Sequence, residues 1–370
     1  MRRNKPEKFL NGSKLIMSLI AIDVLSHGAI ALVYAGKLVL LTVGLNMIYS
    51  VLKFSNFSHA EWITWGMFSS WWGLQILTFV IPWDASMGFI INNLFIQATF
   101  AFIMVGILGL LSEILVFGRL RKLKANPRSF TVASIGIGLV IRNLLAMVWG
   151  DFPTPISPPK LPFGLENIIK ISITFTYRHP ILGTQSINLT SFKIIIIVIS
   201  IITVLFIDYL FKNTKFGIAM RATSDSIDLA QVSGINTKRI IFYTWFIAAG
   251  ITGFGAAIVR ATQGRFGSTD GFSMLLPIFA VVILGGVGAF RGGIISAFII
   301  AYSREIAAII LTEFQKKPGG LEYAIEDLLG FTISFSPGYM DGIGFVVLIL
   351  VLLFRPQGIF GSVEATRARV

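Results

Sequence analysis

Long apolar runs separated by short polar stretches set the pattern of this chain. A membrane-crossing helix needs about 20 consecutive apolar residues. Candidate segments are 14–27, 30–52, 59–81, 88–117, 130–150, 191–211, 240–259, 273–289, 292–312 and 341–355. The first is short and carries Asp23. The pair 273–289 and 292–312 reads either as two crossings or as one crossing plus a re-entrant hairpin near 285–293. The pattern predicts an all-α polytopic membrane protein with eight to ten spans, in one domain over 1–370.

Composition agrees with the pattern. Of 370 residues, 55% are hydrophobic and 13% charged, where a soluble domain carries about a quarter charged. Cysteine is absent, which excludes disulfides, thiolate catalysis and Cys-ligated metals. His27, His59 and His179 are too scattered to suggest a metal site. The net charge of +13 fits cytoplasmic loops that collect Lys and Arg, rather than nucleic-acid binding. The basic head MRRNKPEK runs into apolar sequence with no small-x-small cleavage pattern.

Orientation follows from those basic residues. Segments 1–14, 117–129 and 212–239 hold five Lys or Arg each. Placing both termini and these three stretches in the cytoplasm satisfies the positive-inside rule. The loop 151–190 then faces out. It opens Pro-rich (DFPTPISPPKLPFG) and becomes β-like (ISITFTYRH). A second outer loop, 313–340, is acidic, with Glu313, Glu322, Glu326 and Asp327.

The longest polar interruption, FGIAMRATSDSIDLAQVSGINTKRI (216–240), has a short helix written into it. Thr223 or Ser224 suits the cap, Asp225 and Asp228 the first turn, and Gly234 the left-handed position past the end. A helix of about ten residues is too short to stand alone. Ile227, Leu229, Ala230 and Val232 need a surface to pack on, either this chain's own or that of a second protein.

DLAQVSG resembles the loop through which permease subunits of ABC importers touch their ATPases. RATSDSIDLAQVSGINTKRI followed by WFIAAGITGFGAAI is similar to permeases of branched-chain amino acid (LIV-type) importers. SVLKFSNFSHAEWITWGMF (50–68), VVILGGVGAFRGGIISAFII (281–300) and FRPQGIFG (354–361) agree, in the family's order. The chain departs at its N-terminal extension, its long outer loop and Ala60-Glu61. The resemblance implies an importer-permease architecture with no ATPase of its own and no cofactor bound by this chain, ATP-Mg residing on the partners. It implies two ABC ATPase subunits, a second permease subunit (a paralogue or a copy of itself) and an extracytoplasmic binding protein. The solute is then a branched-chain or related amino acid, or alternatively urea or a short amide. Arg221, Ala222, Asp225, Asp228, Leu229, Ala230 and Gly234 become the ATPase-coupling candidates in the loop 212–239.

The block GGVGAFRGG (285–293) is not a phosphate loop, because no GK[ST] follows it. Gly285, Gly286, Gly288, Gly292 and Gly293 suit close packing at a helix reversal. Polar residues within apolar segments normally face protein or a wet cavity. Asn46, Asn56, His59, Asn92, Gln97, Arg142 and Glu305 are therefore candidates for lining a solute path or for packing. Glu305 and Arg304 are adjacent on a helix, so each is expected to find a different partner. Glu305 and Asp208 also keep an ion-coupled carrier open. An intramembrane enzyme would need a nucleophile with a base, and His59 with Glu61, two apart on a helix, do not share a face.

Overall fold

The computed structural model describes residues 5–80, 94–150, 154–155, 173–179, 183–189, 191–263, 265–315, 338–355 and 357–360. Asn92 and most of the acidic loop, including Glu322, Glu326 and Asp327, lie outside them. In chain order the helices are α1 (Lys5–Leu52), α2 (His59–Val80), α3 (Leu94–Ser112), a π-helical turn (Glu113–Phe117), α4 (Gly118–Lys122) and α5 (Pro127–Trp149). Next come α6 (Ser191–Asn213), α7 (Lys215–Asp225), α8 (Ile227–Val232), α9 (Thr237–Arg260), α10 (Asp270–Gly285), α11 (Phe290–Gln315) and α12 (Gly338–Phe354). Two ribbons complete the described elements. β1 (Thr154–Pro155) pairs with β4 (Arg265–Phe266), and β2 (Ile173–His179) pairs antiparallel with β3 (Gly183–Leu189). The β-like reading of ISITFTYRH thus corresponds to one arm of a hairpin.

Segments 14–27 and 30–52 are not two crossings. They form the single helix α1, 48 residues long, which runs through the Ser26-His27-Gly28 step between them, where no proline breaks it. At 1.5 Å per residue α1 extends about 70 Å. Lys5 therefore lies at the far end of α1 from Leu52, while Ile359 donates its N–H to the Leu284 carbonyl at 2.8 Å, in the region of Asn46 and Ser50.

Among the described residues, five helical stretches are long and apolar enough to cross a membrane: Gly28–Leu52, Leu94–Lys122, Pro127–Trp149, Ile196–Asn213 and Thr237–Arg260. Helix α10 is shorter, at 16 residues, with Pro277 inside it.

The centre of the bundle is α9, which packs against α1, α2 and α3. Its sequence AAGITGFGAA explains the position, since small residues let backbones meet closely where lipid supplies no hydrophobic drive between helices. A Cβ on Gly253 would sit 2.4 Å from the Ala101 carbonyl oxygen. Facing it from α2, a Cβ on Gly66 would lie 2.9 Å from the Gly253 Cα. By contrast α5 leaves Val132, Leu139, Val140 and Met147 exposed, an apolar face suited to lipid. Asn126 caps its start, accepting from Ser129 N–H at 2.9 Å, and Pro127 occupies the first turn.

Candidate functional site

The polar stretch 216–240 folds as two short helices rather than one. Helix α7 runs to Asp225, and the chain then breaks at Ser226 (φ −157°, ψ 116°) before α8 begins. Ser226 is the cap: its side chain accepts from the Leu229 N–H at 3.2 Å. Thr223 and Ser224, expected as caps, lie inside α7. Thr223 instead bonds back to the Ala219 carbonyl, and Asp225 ends α7 rather than opening α8. Asp228 does sit in the first turn of α8. Gly234 takes φ +84°, with its N–H bonded to the Gln231 carbonyl and that of Ile235 to the Ala230 carbonyl. These two bonds close a Schellman end.

Helix α8 is held rigidly but left uncovered. Ala230 is buried against the bundle, whereas Leu229 is 67% and Val232 86% exposed. Arg221 donates to the Phe211 carbonyl at 2.8 Å, joining α7 to the end of α6. Ser224 Oγ donates to the Ser50 carbonyl on α1 at 2.6 Å. Gln231 Nε2 donates to Thr237 Oγ1 at 2.8 Å, joining α8 to the start of α9. Beside this segment lies a cavity of about 380 Å³, lined by Leu52, Lys53, Lys124, Asp225 and Ile227 among others. Behind it Phe54, Phe117, Phe130 and Trp245 form an aromatic cluster, with Phe117 and Trp245 stacked at 4.8 Å. The cluster carries the 53–58 loop and the π-helical turn directly onto α9.

The Gly-rich block forms the reversal between α10 and α11. Gly286 (φ +91°) and Gly288 (φ +82°) supply left-handed turns that other residues resist. Gly285 and Gly292 bring the two helices into backbone contact, where a Cβ on Gly292 would lie 2.3 Å from the Gly285 carbonyl oxygen. Gly293 does neither; a Cβ there meets nothing within 4 Å. Asn46 Oδ1 accepts the Gly288 N–H at 2.8 Å, so this candidate path residue pins the reversal to α1. It also borders a small cavity of about 10 Å³, room for one water. On the other side Arg291 and Lys212 both pair with Asp208, at 2.7 and 2.9 Å.

The remaining candidates are likewise engaged one by one. Asn56 Oδ1 accepts from Ser58 N–H and Oγ, closing the entry to α2. His59 Nε2 bonds the Leu41 carbonyl at 2.9 Å. Gln97 Oε1 accepts from the buried Arg260. Arg142 pairs with Glu61 through Nε at 3.0 Å and stacks over Phe272 at 4.3 Å. Arg304 and Glu305 pair with each other at 3.2 Å, their long side chains turning toward one another along the helix surface, and Arg304 also lies over the Tyr34 ring at 4.4 Å. Asp208 and Glu305 thus both meet cations, which weakens the ion-coupled reading.

The segment that carries α8 and the Gly-rich reversal both meet the last two turns of α1, and a family comparison says what kind of chain has this arrangement. The profile described as "Branched-chain amino acid transport system / permease component" matches residues 29–352. The chain belongs to this permease family. The permease is 24% identical over 334 residues to the high-affinity branched-chain amino acid transport system permease protein BraD of Pseudomonas aeruginosa, covering 89% of this chain and 92% of the relative. It is 23% identical over 331 residues to LivH of Salmonella typhimurium, with 89% and 92% covered. A probable LivH of Methanocaldococcus jannaschii is 23% identical over 354 residues, with 94% and 95% covered. No solved structure matches the chain. Family membership and the apolar helices together make the permease a multi-pass membrane protein.

Sequence reasoning missed Ser226, Ser50 and Arg260 in their roles. Ser226 had a signal, since it directly precedes IDLAQV with Asp two residues on. Ser50 and Arg260 had none, because their partners lie 174 and 163 residues away.

Proposed function

We propose that this chain is the membrane-spanning subunit of an ATP-driven importer for branched-chain or related amino acids. Two such subunits form the path, two separate ATPases dock on α8, and an outer binding protein delivers the solute. ATP hydrolysis then belongs to the partners.

The observation that carries the reading is α8 itself. A six-residue helix with Leu229 and Val232 exposed has no reason to persist in water unless it is presented to another surface. Gln231 fastens it to α9, and α7, directly before it, is fastened to α6 and α1 by Arg221 and Ser224. A push on α8 is therefore delivered to the helices that build the core. In this reading α8 and the C-terminal end face the cytoplasm, along with the basic residues of 117–129 and 212–239. The start of α1 faces the opposite side.

The test is co-purification of the tagged chain from its native membrane in mild detergent. ATPase subunits are expected to come with the wild type and to be lost from Asp228→Arg and from Leu229→Glu/Val232→Glu, with the protein still in the membrane. A chain that purifies alone, under conditions that keep known complexes together, rejects the reading.

A further inference from the structure

At the end of the bundle opposite α8 there is a cavity of about 410 Å³. It lies between the first turns of the α1 span, the start of α6, the loop after α9, the start of α10 and the middle of α11. Three cations line it from three helices: Lys37 on α1, Lys193 on α6 and Arg304 on α11. Lys37 lies nine residues past Gly28, about 14 Å into the span. Placing a lysine there is costly unless it meets protein polarity or a wet cavity, and like charges converging on one space favour an anion in it. Arg304 is oriented by the Tyr34 ring, 4.4 Å beneath its guanidinium carbon, as well as by Glu305.

Two further features narrow the anion. Gln263 borders the same cavity, and its Oε1 is buried without a hydrogen-bond partner among the described residues. A buried acceptor left unmatched is expensive, so a donor is called for there. The wall between these groups is apolar, with Val33 and Met274. A cationic pole, a lone acceptor and a hydrocarbon wall, in a volume within the range of small-molecule sites, match the three parts of an apolar α-amino acid.

Resting on the importer reading above, we propose that this cavity is a solute site in the permease itself. Lys37, Lys193 and Arg304 take the α-carboxylate, Gln263 Oε1 takes an ammonium proton, and Val33 and Met274 contact the side chain. Carboxylate recognition by a fixed guanidinium is directional, so the site selects by charge and geometry as the solute enters the path.

The experiment uses the complete complex, purified with its partner chains and reconstituted into liposomes with binding protein and ATP. Leucine uptake is expected to fall at least about tenfold in Lys37→Gln and in Arg304→Gln, the loss of one charge-assisted hydrogen bond. Lys37→Arg and Arg304→Lys should keep most of it. Size-exclusion chromatography with the partner chains establishes that each variant is assembled. In calorimetric titration of the complex without binding protein, leucinamide, which lacks the carboxylate, should bind at least about tenfold more weakly than leucine. Wild-type uptake of leucine with undiminished uptake in both Gln variants overturns the site while leaving the importer reading intact. An anionic phospholipid that is retained by the wild type and lost from Lys37→Gln/Lys193→Gln, with uptake unchanged, overturns it in favour of a lipid. A wild type that imports no amino acid sinks the importer reading first, and the site with it.

Discussion

Ser224 Oγ donates a 2.6 Å hydrogen bond to the Ser50 carbonyl, joining the last turn of α7 to the last turn of α1 across 174 residues of chain. It ties α7, the helix directly before α8, to a helix of the core, beside the Gln231–Thr237 bond that joins α8 to α9. Ser224→Ala removes the link at a cost of about 1 kcal/mol, too little to unfold the bundle. Uptake per ATP hydrolysed, measured in reconstituted liposomes, is expected to drop. A transport stoichiometry equal to the wild type would show that motion travels by another route.

Gly234 closes α8 in a conformation that only glycine adopts freely. Gly234→Ala should strain it by about 1 kcal/mol, loosening α8 and weakening ATPase capture severalfold in a pull-down. Gly234→Pro also deletes the N–H that bonds the Gln231 carbonyl and should abolish capture and ATP-driven uptake together. Full uptake by the Pro variant removes α8 from the coupling path.

Glu61 and Arg142 form an ion pair between α2 and α5 in which the carboxylate side is nearly enclosed. Removing one partner leaves the other charge uncompensated, at about 3 kcal/mol or more. Arg142→Ala should therefore lower the thermal midpoint of the detergent-purified protein by several degrees. The double variant Glu61→Gln/Arg142→Gln should recover most of that loss. Equal destabilisation in the single and double variants would mean that the pair is not what holds α5.

Two glycines in helices are expected to behave in opposite ways. A Cβ at Gly253 falls 2.4 Å from the Ala101 carbonyl oxygen, so Gly253→Ala forces α9 and α3 apart. Overpacking of this kind costs about 1–3 kcal/mol. Gly136 on α5 faces open space, and Gly136→Ala should be neutral or gain up to about 1 kcal/mol in helix propensity. Thermal melts of the two variants side by side decide whether the α9 seam is as tight as it looks.

The reading of the polar stretch shows where local sequence suffices and where it fails. Gly234 was legible because a helix end needs only its own residues to signal it. The cap was misplaced because Thr223, Ser224 and Ser226 are chemically alike. What separates them is that α7 packs against α1, which keeps Thr223 buried and sends Ser224 to the Ser50 carbonyl.

The same division runs through the whole permease. Sequence alone determined the apolar spans, the polar break at 216–240, the glycines that turn α10 into α11, and the absence of thiol chemistry. These depend on composition and on spacing within a single turn or helix, and the family blocks are equally local. Tertiary structure decided that 14–27 continues into 30–52 as one helix. It also set Asn46 on the Gly288 amide, paired Arg142 with Glu61 and Arg260 with Gln97, and gathered Lys37, Lys193 and Arg304 around one cavity. A buried polar group must find a partner, but the sequence does not say which of many it will be. That choice is made when helices far apart in the chain pack side by side.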